Sequence, residues 1–133
     1  MSHSNLKEFV LYLETYVECW KQFNHYLDLA RTGKYTPEDE AQFLEVKSLI
    51  TQGLEAILAA IDQGGPRKDE VMALINGAPS IRFLAEHENN IFAVESQWHK
   101  LFMIMQSLLG RLKVLQQKQD GEWRWSSLFG RTK

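Results

Sequence analysis

Apolar residues recur along much of this chain at alternating spacings of three and four, the period that places side chains on one face of an α-helix. The longest such series is Leu84, His87, Ile91, Val94, Trp98, Leu101, Met105, Leu108, Leu112 and Leu115. All but His87 are apolar, and no proline interrupts them. In its middle, Leu101 to Met105 is apolar at every position, which a helix tolerates where neighbours cover it all round. The pattern therefore predicts that this run is the central helix of a bundle.

A second series opens the chain: Leu6, Phe9, Leu13, Tyr16, Trp20, Phe23, Leu27 and Ala30, with Val10, Val17 and Asn24 alongside. It predicts a helix from about Asn5 to Arg31, stopped at Thr32-Gly33-Lys34, where Gly33 suits the left-handed residue past a helix end. Thr36-Pro37-Glu38-Asp39-Glu40 is a start signal. Thr36 offers a capping oxygen, Pro37 has no N–H to lose, and three acids meet the positive end of the helix dipole. Phe43, Val46, Ile50, Leu54, Ile57 and Ile61 carry that helix to Gln63-Gly64-Gly65-Pro66, which breaks it. Gly53 in its interior points to a close approach by another helix.

A short helix over Arg67–Asn76 follows, capped at Gly77, and Ala78-Pro79-Ser80 opens the long terminal element. Two arrangements fit. A helix unbroken from about Pro79 to Gln119 would outreach the first two. A break near Asn89-Asn90 would leave residues 66–88 as a kinked third leg and 91–119 as a fourth, giving legs of similar length. The matching lengths favour the second. The expected fold is all-α, an antiparallel up-down bundle of four elements whose third is short or broken near Gly77–Pro79. Asp120-Gly121 is read as the last helix stop, dividing the chain into a bundle over residues 1–121 and a tail over 122–133.

Composition narrows the function classes. With 133 residues, 44% hydrophobic and 24% charged, the chain suits one globular domain that needs no disulfide or metal for its core. The net charge of −2 exerts no global pull on nucleic acid, so a nucleic-acid partner is not expected. Cys19 is the lone cysteine. The start, Met1-Ser2-His3-Ser4-Asn5, lacks the basic and apolar regions of a signal peptide, and no apolar run approaches a membrane span. The expectation is a soluble, cytoplasmic protein.

Candidate chemistry is sparse. A ferritin-like iron site requires Glu-x-x-His pairs, and none occurs. Glu95 and His99 stand one turn apart without a second cluster. Cys19 beside Trp20 reads as a small hydrophobe rather than a nucleophile. Gly64-Gly65 leads into Pro66, not into a phosphate loop. No catalytic, cofactor-binding or metal residue is assigned, and the chain is expected not to be an enzyme. Trp20 and Trp98 hold equivalent seam positions, too bulky for a two-stranded coiled coil and suited to a bundle.

The remaining signal is outward. The first and last helices are apolar on more than one face, so a homodimer is the first expectation for partners. From Arg111 onward, six basic residues face two acids, leaving +4 on a body of −6. Within it, Trp123, Arg124, Trp125, Leu128 and Phe129 form an aromatic, basic cluster, the candidate partner-binding residues. The expected function is non-enzymatic protein–protein contact, as adaptor, chaperone-like binder or structural subunit. The outline is similar to that of small helical export chaperones, a likeness of architecture alone. The alternatives are attachment to a membrane surface through the Trp/Arg tail and a metal- or cofactor-binding bundle.

Overall fold

The computed structural model describes the backbone of residues 3–61 and 63–129, and the side chains of 5–61 and 63–122. Five helices appear in chain order: α1 (His3–Thr32), α2 (Pro37–Ala60), α3 (Lys68–Asn76), α4 (Ile81–Glu86) and α5 (Glu88–Phe129). No strand occurs among the described residues. The protein is an all-α helical bundle.

Cross-helix pairs give the course of the chain. Tyr26 meets Gln42 and Tyr16 meets Ile50, so α2 runs back along α1. Lys68 reaches Glu55 at one end of α3, and Lys47 reaches Ala78 beyond the other. Lys100 pairs with Glu70 at 2.9 Å, while Arg31 pairs with Glu95 and Lys113 with Glu14. Thus α3 and α4 together make one ascending leg, and α5 descends beside both it and α1. This is an up-down-up-down bundle with its third leg broken at Gly77–Ser80, as the spacing predicts.

The helix ends follow their local chemistry. Gly33 has φ +69° and its N–H bonds to the Leu29 and Ala30 carbonyls. Thr36 accepts from the Asp39 N–H, and the Asp39 carboxylate accepts from the Thr36 N–H, a reciprocal cap. Gly53 lies against Tyr16, where an added Cβ would sit 2.7 Å from the ring. The expected close approach is therefore that of α1.

Four expectations need correction. The hub is α1, not the late run. Among the described residues, ten of its hydrophobics are buried, from Leu6 to Ala30, against seven on α5, and it packs on α2, α4 and α5. Second, Leu101–Met105 is not covered all round: Leu101 and Met105 are buried, Phe102 and Ile104 half-buried, and Met103 is 54% exposed. Third, the break before α5 falls at His87, two residues ahead of Asn89-Asn90, and His87 is exposed rather than in the core. Its ring supplies the reason. His87 Nδ1 lies 2.7 Å from the Phe83 carbonyl, the acceptor that its own amide would use in an unbroken helix. The amide bonds to Leu84 instead, and the His87 carbonyl becomes the first acceptor of α5, receiving the Asn90 and Ile91 N–H groups.

Fourth, Asp120-Gly121 does not end the last helix. Gly121 lacks the positive φ of a helix-terminating glycine, no proline follows, and the backbone continues to Phe129. At 42 residues, α5 is about 63 Å long, against about 45 Å for the 30 residues of α1.

Candidate partner-binding surfaces

The five tail residues sit on the final turns of a continuous helix. The backbone carrying Trp123, Arg124, Trp125, Leu128 and Phe129 belongs to α5; their side chains lie outside the described residues. They prolong the longest element of the bundle.

Two faces with exposed apolar side chains stand upstream of them. On α5, the inner row Ile91, Val94, Trp98, Leu101, Met105 and Leu108 is buried. The Trp98 indole donates to the Trp20 carbonyl at 2.9 Å, and Phe102 stacks on Trp98 with centroids 4.6 Å apart. The side turned away from this row carries Phe92 (72% exposed), Met103 and Val114. It also carries Gly110 and Gly121, where an added Cβ would meet nothing within 4 Å. Interior helical glycine costs about 1 kcal/mol relative to alanine. Gly53 offsets that cost by admitting Tyr16. Nothing within the described chain does so for Gly110 or Gly121.

The other face is the groove between α1 and α2. Tyr12, Thr15, Cys19, Leu49 and Gln52 line a shallow recess of about 200 Å³ over Gly53 and Tyr16, with Leu11 exposed beside it. Cys19 is half-buried rather than buried, and that burial pushes its thiol pKa up. A raised pKa lowers the thiolate fraction, the reverse of what a cysteine nucleophile requires.

The polar groups that sequence reasoning passed over serve the fold. Lys47 is 8% exposed and donates through Nζ to the Ala78 and Pro79 carbonyls at 2.9 and 2.8 Å. Burial lowers its pKa, and nearby Glu40 acts in the opposite direction. Two turns earlier on α2, Glu40 accepts from the Ile81 and Arg82 N–H groups at 2.7 and 3.1 Å, filling the open end of α4. Together these two side chains hold the break in the third leg. A charged residue at a core-facing position of α2 was the available signal for Lys47.

Histidines and acids do not converge. Among the described residues, no group of three or more His, Cys, Asp or Glu side chains is placed to hold a metal. Glu95 pairs with Arg31 and, with His99, Asn24, Ser96 and Trp98, lines a shallow depression. A further recess of about 280 Å³ lies where the end of α1 meets the start of α5, lined by Ala30, Arg31, Ala85, Glu88, Ile91 and Phe92.

No family model matches this chain, and neither curated proteins nor solved structures yield a match. Among the described residues, no helix is long and apolar enough to cross a membrane.

Proposed function

We propose that this protein works by protein–protein contact, as a helical-bundle adaptor, chaperone-like binder or structural subunit, without chemistry of its own. The observation that carries this reading is the outer side of α5, where Phe92, Met103 and Val114 are each more than half exposed on one helix. Scattered exposed hydrophobics are ordinary, whereas apolar side chains aligned along one face favour a covering partner. The opposite row of α5 is buried in the bundle, which fixes the side that this face presents. Photo-crosslinking tests this in the cell of origin. A photoreactive residue at Phe92, Met103 or Leu49 should give discrete protein adducts, identifiable by mass, while one at exposed Glu45 should not. Absence of adducts from all three apolar positions would refute the reading.

A second reading, attachment to an anionic membrane surface, draws on the continuation of α5 through Gly121 into the Trp/Arg segment. Aromatic and basic residues on one helix end suit a lipid headgroup layer. Sedimentation with vesicles containing phosphatidylserine, lost on truncation at Gly121, would support it. Equal sedimentation with and without vesicles would dismiss it.

A further inference from the structure

The outer side of α5 has a repeat of its own, distinct from the heptad that faces the core. Phe92, Met103 and Val114 are spaced by eleven residues. Ser96 and Ser107 repeat at the same interval, as do Gly110 and Gly121, and the spacing continues in sequence to Trp125. Eleven residues make just over three whole turns, so such a row runs nearly parallel to the helix axis. It alternates bulky side chains with bare backbone. A bundle that needed only solubility on this side would fill the row with charge.

We infer that the occupant of this face is a second copy of the chain, with the two α5 helices packed antiparallel, back to back. This rests on the contact reading above and names its partner. Set the two helices antiparallel so that Met103 of one copy lies opposite Gly110 of its mate. The same register then puts Phe92 opposite Gly121, and by twofold symmetry each pair occurs twice. Every glycine on the row receives a bulky side chain, and Val114 falls opposite His99. Such self-complementarity is what a twofold interface requires.

Charge selects the same orientation. From Glu88 to Gln106, α5 carries two acids against Lys100; from Ser107 to Phe129 it carries four basic residues against two acids. Antiparallel pairing sets the acidic half against the basic half. Parallel pairing would set like against like and stack Phe92 on Phe92. The matched span, Phe92 to Gly121, is about 44 Å long, enough for a continuous helix–helix contact.

Sedimentation equilibrium on the full chain should give twice the 15.5 kDa of one chain, dissociating on dilution. Gly110→Leu enters open space in its own chain, so the bundle keeps its helical signal while the dissociation constant rises at least tenfold; Met103→Lys should act alike. Orientation is read from disulfides in a Cys19→Ser background. Ser107→Cys lies beside the twofold and should oxidise to a linked dimer. Val114→Cys should not, since its counterpart would stand about 22 Å away along the mate. Linking at both positions would overturn the antiparallel register. A monomer at 100 µM, or a dimer indifferent to both Gly110→Leu and Met103→Lys, would overturn the interface. A monomer that still gives adducts to another protein from Phe92 ends the dimer alone; a monomer without adducts ends the contact reading too.

Discussion

The first and last helices differ in where their apolar surplus goes. Both carry heptads longer than three turns, both hold a five-residue apolar run, and each contributes a tryptophan to the same seam. Yet α1 is enclosed by α2, α4 and α5, so that Leu6, Leu13, Trp20, Phe23 and Leu27 are wholly buried. By contrast α5 is covered along one side, and its other side exposes Phe92, Met103 and Val114. Hydrophobic density alone thus does not identify a core helix. What distinguishes the two is how much of each circumference the surrounding helices cover, which local sequence does not record.

The largest expected effect tests that contrast directly. Trp20→Ala removes a fully buried indole from the more deeply buried of the two helices and should cost about 3–5 kcal/mol in chemical denaturation. Met103→Ala, at a position 54% exposed on α5, should change the same measurement by less than about 0.5 kcal/mol in solution dilute enough that the chain is alone. Similar losses at both positions would mean that α5 is enclosed as α1 is.

Next in size is Gly53→Ala. Its Cβ would fall 2.7 and 2.8 Å from two carbons of the Tyr16 ring and 3.3 Å from the Tyr12 hydroxyl. The ring is pinned because its hydroxyl donates to the Ile50 carbonyl at 2.8 Å. Overpacking of this kind costs about 1–3 kcal/mol, although alanine favours the helix by about 1 kcal/mol. A net loss in urea titration is expected; a net gain would show that α1 and α2 can part without penalty.

Much of this architecture is legible in local signals. Gly33, the Thr36-Pro37 cap and the Gly64-Gly65-Pro66 break rest on residues whose chemistry acts within a turn or two, while Gly53 signals a close approach without naming Tyr16 as the partner. The errors arise where a distant or competing partner decides. Nothing near Lys47 or Glu40 announces that their side chains satisfy the break between α3 and α4, because the groups they serve lie more than thirty residues away. At His87 the heptad continues unbroken, and a side chain takes the acceptor that the backbone needed. Asp120-Gly121 has the composition of a stop without the left-handed φ that would make it one. Composition marks Trp123, Arg124, Trp125, Leu128 and Phe129 as partner-binding candidates, and their side chains lie outside the described residues. The described outer row, with Phe92, Met103, Gly110 and Val114, is diluted by eleven-residue spacing and escapes a search for heptads.

Tyr16→Phe probes the α1–α2 contact with less disturbance and adds a pH signature. Removing the hydroxyl leaves the Ile50 carbonyl without that donor, a loss of about 1 kcal/mol at pH 7. Burial raises the Tyr16 pKa above its ordinary value of 10.0. The neutral phenol is thus favoured in the folded chain. Its contribution is full below pH 10 and declines as pH rises beyond 10, where the unfolded chain ionises first. Tyr26, also raised by burial, acts in the same direction. Tyr16→Phe should therefore flatten, without abolishing, the alkaline fall in stability. An unchanged slope above pH 10 would show the phenol to be solvated.

The smallest effect has the opposite sign. Gly110→Ala adds a methyl group that meets nothing within 4 Å in its own chain, and alanine is the better helix former by about 1 kcal/mol. In dilute solution, where the chain is alone, its melting temperature should rise by a few degrees, in line with about 1 kcal/mol on a chain of this length. If glycine is there to seat Met103 of a second copy, the gain should shrink or reverse as concentration increases, because the variant associates more weakly. Gly53→Ala should lose stability at every concentration, since its close neighbour belongs to the same molecule. A glycine whose value depends on how crowded the solution is serves a partner, whereas one whose value does not serves the fold.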